Sequence, residues 1–297
     1  MRVASLLPSA TDMAVDLGLA GQLVAVSHSC DHPAAAGLPV MTRSSIGAHL
    51  PPADIDAAVS AAVREGRPLY QVLAEVLDAV RPDLLLTQGV CEVCAVTPGT
   101  IQDALRALPD SLPTDARTLS LDGKTLSGIL GDVQRVADAA GVPERGEALT
   151  RAARDRWAAI TPAAHAPRVL TLEWTDPPFY GGHWVPEQVE RAGGVNVLGR
   201  AGQDSGRATW ADISALNPDV IVVMCCGYGL ADNVRFAQDL RAHAPARTLR
   251  AVQAGQLWAT DANALYSRPS LGVVRGAEVL AALLRGEPTH GASVRLS

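Results

Sequence analysis

Short apolar runs recur along this chain, each followed by a polar or glycine-rich break and then by apolar residues at helical spacing. Residues 3–7 predict a first strand, and Ser9-Ala10-Thr11-Asp12 then has the form of a helix N-terminus, with Ser9 as cap, opening an amphipathic run to Leu19. Residues 23–27 predict a second strand. Apolar positions three and four apart predict helices over residues 53–65 and 69–80, and Arg81-Pro82-Asp83 ends the second helix and starts a strand at residues 84–87. Strand and helix alternate, which points to a parallel sheet with helices on its faces.

The middle reads differently. Residues 124–159 are helical in pattern, with one break at Gly141-Val142-Pro143, as suits a connector between two lobes. Beyond the proline-rich stretch 161–167 the alternation restarts, with a strand at 168–172, a loop rich in glycine and proline, a helix at 185–192 and a strand at 220–224. Asn217-Pro218-Asp219 precedes that last strand much as Arg81-Pro82-Asp83 precedes residues 84–87, so the halves echo each other in layout without an exact repeat. The expected fold class is α/β: two three-layer lobes with largely parallel sheets joined by a long connecting helix. The lobes are placed at residues 1–122 and 161–297, with the connector at 123–160.

Composition narrows the function. With 297 residues, 48% of them hydrophobic and 19% charged, the chain can bury sizeable cores. A net charge of -6 without a basic stripe argues against nucleic-acid binding. No apolar stretch reaches the ~20 residues that span a bilayer. The start Met1-Arg2-Val3 lacks the pattern of a secretory signal, so a cytoplasmic location is expected if Met1 is the native start.

All five cysteines sit just past strand-like runs: Cys30 after residues 23–26, Cys91 and Cys94 after 84–87, and Cys225-Cys226 after 220–224. Ligands of open parallel α/β sheets bind at that carboxyl edge. Four thiolates suit tetrahedral zinc or an iron-sulfur cluster. Cys91 and Cys94 have the spacing of one turn, Cys30 lies on the neighbouring strand, and one of the adjacent pair completes the set. Neighbours in extended backbone face opposite ways, which favours Cys226 as the inward one. His28 and His183 are reserve ligands or partners of ligands. The alternatives are burial as small hydrophobes, and a thiol redox pair at Cys91 and Cys94 if Thr97-Pro98 starts a helix there.

Only 4% of the chain is aromatic, yet Trp174, Phe179, Tyr180 and Trp184 crowd into one loop region, where flat rings suit a large planar ligand such as a corrin or haem. Glu173 would accept hydrogen bonds from ligand amides, and Arg268 would offer a charge to an anionic group. No nucleophile elbow, phosphate loop, dinucleotide fingerprint or His-Glu-x-x-His motif is present, so no catalytic role is expected.

These residues carry a resemblance. Val3-Ala4-Ser5-Leu6-Leu7-Pro8-Ser9-Ala10-Thr11, Ser27-His28-Ser29-Cys30-Asp31-His32-Pro33, Glu173-Trp174, Gly181-Gly182-His183-Trp184-Val185-Pro186-Glu187, Ala192-Gly193-Gly194 and Tyr266-Ser267-Arg268-Pro269 resemble the cobalamin and iron-siderophore substrate-binding proteins of ABC importers. The resemblance covers almost the whole chain. It implies two α/β lobes, a ligand held between them, and little hinge motion. The expected function is non-enzymatic binding of cobalamin or a related large cofactor in an interlobe cleft, with Glu173, Trp174, Trp184, Tyr228 and Arg268 as contacts. The missing export signal and the cysteines depart from exported members, so a transporter partner is not expected. The competing readings are a zinc or iron-sulfur metalloprotein held by Cys30, Cys91, Cys94 and Cys226, and a thiol redox protein.

Overall fold

The computed structural model describes residues 1–46, 52–89 and 116–296. The chain divides into two compact units, Met1–Gly123 with Ser127–Arg151, and Lys124–Leu126 with Ala152–Ser297.

The first unit carries strands β1 (Val3–Ser5), β2 (Leu23–Ala25), β3 (Thr42–Ser44), β4 (Tyr70–Val72), β5 (Leu84–Gln88) and β6 (Arg117–Leu121). Four of them form an all-parallel sheet in the order β2-β1-β5-β6. Its central strands β1 and β5 are buried along their whole length, which is why they read as continuous apolar runs.

Two local expectations are corrected. The first helix is Pro8–Asp16 with Leu7 at the N-cap, so Ser9 is not the cap but a buried helical residue whose hydroxyl has no partner. Proline at the first helical position loses only an amide that would lack a partner anyway, and it starts the helix one residue early. Residues 70–72, expected to be helical, instead form β4, which pairs antiparallel with β3, and the helix shrinks to Ala74–Val80. Tyr70 and Val72 favour a pleated surface, and pairing with Thr42–Ser44 overrides the helical spacing.

The second unit carries β7 (Arg168–Thr175), β8 (Pro178–Tyr180), β9 (Val195–Asn196), β10 (Gly206–Arg207), β11 (Val220–Val223), β12 (Leu257–Thr260) and β13 (Ser293–Leu296). The order is β10-β8-β7-β11-β12-β13, with β9 beside β7. Here the sheet is mixed. β7, β11 and β12 run parallel, while β8, β10 and β13 add antiparallel edges. Leu170, Leu172, Ile221, Val223, Leu257 and Ala259 pack under Phe236 and Leu240 of the Leu230–Ala242 helix to form its core.

The segment expected to connect two lobes is helical over Leu126–Ala139 and Pro143–Ala159, broken at Gly141 with φ +73°, as the Gly-Val-Pro sequence predicts, and its residues Ser127–Arg151 belong to the first unit. The chain passes between the units on either side of Lys124–Leu126, at the start of the first of these helices, and again after Arg151, inside the second.

The echo between the halves has a physical basis. Arg81 and Asn217 both take left-handed conformations that end a helix. The aspartate two positions on then clamps the preceding strand. Asp83 Oδ2 accepts the Arg2 amide at 2.7 Å while the Arg2 carbonyl accepts the Asp83 amide at 2.8 Å. Asp219 does the same with Arg168, at 2.8 Å in both directions.

Two helical glycines separate backbone propensity from packing. A Cβ on Gly131 would meet nothing within 4 Å, whereas one on Gly276 would overlap the Leu265 carbonyl and the Gln188 amide. Gly131→Ala should therefore stabilise by about 0.5–1 kcal/mol. Gly276→Ala should destabilise by about 1–3 kcal/mol despite the better helix former. Urea denaturation of the two variants checks the opposite signs.

Candidate functional site

The carboxyl end of β7 brings the candidate residues together. Beyond the Val223–Leu172 pair the Met224 amide donates to Leu172 O at 2.8 Å, after which the register slips by one residue and the Cys226 amide donates to Glu173 O at 3.1 Å. The chain then turns. Tyr228 N donates to Cys225 O at 3.2 Å across a turn that needs Gly227 at φ +87°. Asn233, fully buried, braces this turn: its Oδ1 accepts the Cys225 amide at 2.7 Å, and its Nδ2 donates to Tyr228 O and Gly229 O at 3.2 and 3.1 Å. Tyr228 thereby lies 5.8 Å from Trp174 and edge-on to Phe236 at 4.9 Å between ring centroids. Burial pushes its phenol above the ordinary range.

Glu173, next to Trp174 on the same extended strand and so directed to its other face, is fixed separately. Ser205 Oγ donates to Glu173 Oε2 at 2.6 Å and accepts the Gly182 amide at 3.1 Å. The segments 181–184 and 202–205 run against each other, with His183 N donating to Gln203 O at 2.6 Å and Gly202 N to His183 O at 2.9 Å. Only glycine fits at 182, because a Cβ there would strike the backbone of Asp204 and Ser205. His183 takes φ +52°, which aims its ring along the same row. Nδ1 is 3.5 Å from Ser205 Oγ, and Nε2 is 3.3 Å from Asp204 Oδ1 without hydrogen-bond geometry. Lys124 Nζ completes the row, 2.5 Å from the same Oδ1. Burial holds the imidazole below its ordinary pKa, against the pull of Asp204 and with the help of Lys124. The hydrogen bond from Lys124 is the main cause of a depressed Asp204 carboxyl.

Of the residues expected to meet a ligand, Glu173, Trp174 and Tyr228 fall on this one edge, and each is partly buried. Trp184 is placed otherwise. It is 5% exposed, and its indole N–H donates to Tyr266 O at 2.8 Å, so it packs inside the unit. Tyr266, itself buried, donates to Gly276 O at 3.1 Å. Arg268 lies half-buried in the turn that follows Tyr266. Phe179 carries the Arg207 guanidinium 5.4 Å above its ring.

The adjacent cysteines divide as the extended backbone requires. Cys225 is 2% exposed within the core, and its burial pushes the thiol far up, whereas Cys226 is half-buried at the turn. Cys30, in the first unit, sits 3.1 Å from Thr11 Oγ1 and 3.3 Å from Ser27 Oγ, in a hydroxyl environment. His28 Nδ1 is 2.7 Å from Thr42 Oγ1. Cys91 and Cys94, with Thr97-Pro98, lie outside the described residues. Among the described residues no three His, Cys, Asp or Glu side chains are grouped to hold a metal ion. No described helix is long and apolar enough to cross a membrane.

Ser205, Asp204 and Lys124 escaped the sequence reading, since none belongs to a motif. The signal available was the glycine spacing at 199, 202 and 206, which marks a tight loop facing Gly181-Gly182.

Residues 3–264 match the family model described as periplasmic binding protein. No curated protein matches the chain. Among solved structures, the periplasmic heme binding protein HutB of Vibrio cholerae superposes with TM-score 0.70 at 20% identity, covering 96% of this chain and 98% of that one. A periplasmic heme binding protein from Pseudomonas aeruginosa gives 0.68 at 20%, covering 100% and 98%. The periplasmic vitamin B12 binding protein BtuF of Vibrio cholerae gives 0.63 at 22%, covering 96% of each. At these identities the structures speak for the fold.

The Asn233 brace makes a direct prediction. Asn233→Ala removes the partner of the buried Cys225 amide, while Tyr228 O and Gly229 O keep the backbone amides of Asn263 and residue 233, and should lower stability by about 1–3 kcal/mol. Asn233→Asp keeps the acceptor and should recover part of the loss at the Cys225 amide. Thermal denaturation of both variants checks the order.

Proposed function

Since the chain belongs to the periplasmic binding protein family, we propose that it is a non-catalytic binder of cobalamin or a related amide-bearing corrinoid, taken at the edge formed by Glu173, Trp174 and Tyr228. The observation that carries this reading is the Glu173 carboxylate, fixed by Ser205 at the same strand end at which the partly buried rings of Trp174 and Tyr228 meet. Aromatic side chains supply apolar area for a macrocycle. A fixed carboxylate is an acceptor only, and it suits carboxamide N–H donors. The peripheral groups of a corrin are such carboxamides, whereas haem carries propionates that a carboxylate repels. Both vitamin B12 and heme binders occur among the structures of this fold, and the Glu173 chemistry favours the first.

Calorimetric titration with cyanocobalamin and with haemin tests the reading. The corrinoid should bind saturably at one per chain and more tightly than haemin. A hydrogen bond to a charged group contributes about 1.5–3 kcal/mol, so Glu173→Gln should weaken corrinoid binding roughly tenfold to a hundredfold. Tighter binding of haemin, or an unchanged affinity in Glu173→Gln, overturns it.

A further inference from the structure

The row Lys124, Asp204, His183, Ser205 and Glu173 contains one imidazole, and it stands one hydroxyl away from the carboxylate assigned to the ligand. We propose that His183 is a proton-operated positioning residue of this site: protonated, it places a cation beside the Ser205–Glu173 pair and weakens the attraction of Glu173 for a ligand's amide or ammonium donors. This inference rests on the reading of Glu173 as the group that meets the ligand.

The hydrogen-bond inventory supports two states of the row. Ser205 Oγ has one proton, given to Glu173, and two lone pairs, one of which takes the Gly182 amide. The second lone pair faces His183 Nδ1 at 3.5 Å. On the other side of the ring, Nε2 is buried, lacks a hydrogen bond, and lies 3.3 Å from Asp204 Oδ1. A neutral imidazole has one N–H, so it serves one of these two acceptors at a time. An imidazolium has two and serves both, without disturbing the bond from Ser205 to Glu173. The proton taken from solvent therefore completes the row, and its charge is delivered toward Glu173.

The charged groups around the ring fix the pH range. From the 203–205 segment Asp204 raises the imidazole pKa, and from the 124–126 segment Lys124 lowers it. From β7, Glu173 acts through Ser205. Glu187, on the following Val185–Arg191 helix, is turned to the Leu126 amide at 2.7 Å. Burial is the largest influence and lowers the pKa, so His183 is neutral at pH 7 and gains its proton below its ordinary value of 6.5. Corrinoid affinity should be full above that range and fall as pH drops through it. By linkage, a ligand donating to Glu173 should depress the His183 pKa further.

Two measurements test this. The first needs no ligand: the His183 ring is followed by NMR titration in the unliganded protein. Its pKa should fall in Asp204→Asn, which removes the attracting charge, and rise in Lys124→Met. The second is cyanocobalamin affinity at pH 7.5 and pH 5, expected to weaken about tenfold in the wild type and to show little pH dependence in His183→Asn, whose side chain tolerates the left-handed backbone. An equal pH dependence in wild type and His183→Asn overturns the proposal, as does a His183 titration indifferent to both charge variants. Absence of any corrinoid binding at pH 7.5 overturns the reading of the ligand, and the proposal with it as stated; the expected NMR shifts would then retain only the proton-responsive row.

Discussion

The register between β7 and β11 is the constraint on which the candidate site depends, and it is set at the end of the sheet farthest from that site. Asp219 and Arg168 exchange two bonds, one from each amide, before β11 begins, and Arg250 pairs with the same carboxylate. Four residue pairs later the ladder arrives at Val223 and Leu172, and just beyond it, after a one-residue shift, the amide of Cys226 meets the carbonyl of Glu173. A slip of one residue would exchange the faces of every side chain on the strand. Glu173 would then turn away from Ser205, and Tyr228 from Trp174. The equivalent clamp between Asp83 and Arg2 holds β1 against β5, so each unit fixes its strand ends by the same local chemistry.

Beyond the strand ends the chain is held by side chains, because the ladder has ended. Asn233 supplies one acceptor and two donors to the 225–229 turn, and its acceptor serves the Cys225 amide that the ladder no longer reaches. Ser205 plays the corresponding part for the glycine segment before Trp184. The order of the site thus comes from two buried or half-buried polar residues, each satisfying several groups. Loss of the Asn233 side chain would leave the buried Cys225 amide without its acceptor.

The parts of this architecture legible in the sequence were those that depend on burial. β1, β5 and β11 are sealed on both faces and announce themselves as apolar runs, and the helix break at 141–143 follows from glycine and proline alone. Strands β3 and β4 were not visible, since Thr42-Arg43-Ser44 is polar and Tyr70–Val72 sits inside a helical spacing; only their mutual pairing makes them strands. Trp174 stood out because aromatic residues crowd after one strand, and Glu173 beside it in sequence falls with it at the end of β7. Trp184 shows the limit of composition, for a ring in an aromatic loop can equally be the one that anchors it. Ser205 and Asp204 were marked only by the glycines around them, because their contacts arise from two segments about twenty residues apart coming into register.

Trp184 and His183 are neighbours with opposite duties, and the backbone between them explains why a charge on one would be felt at Glu173. The indole is buried and tied to Tyr266, the imidazole is only 15% exposed, and the left-handed residue between Gly182 and Trp184 is bonded through both its amide and its carbonyl to the facing segment. A histidine on a mobile loop would answer protonation by swinging into water. This one is confined between Asp204 and Ser205, so the added charge stays within the row. Asp204 is 70% exposed and shares its charge with Lys124, which leaves it a poor screen for a cation on the imidazole. The electrostatic consequence therefore falls on the other side, where the Ser205 hydroxyl is the intermediary.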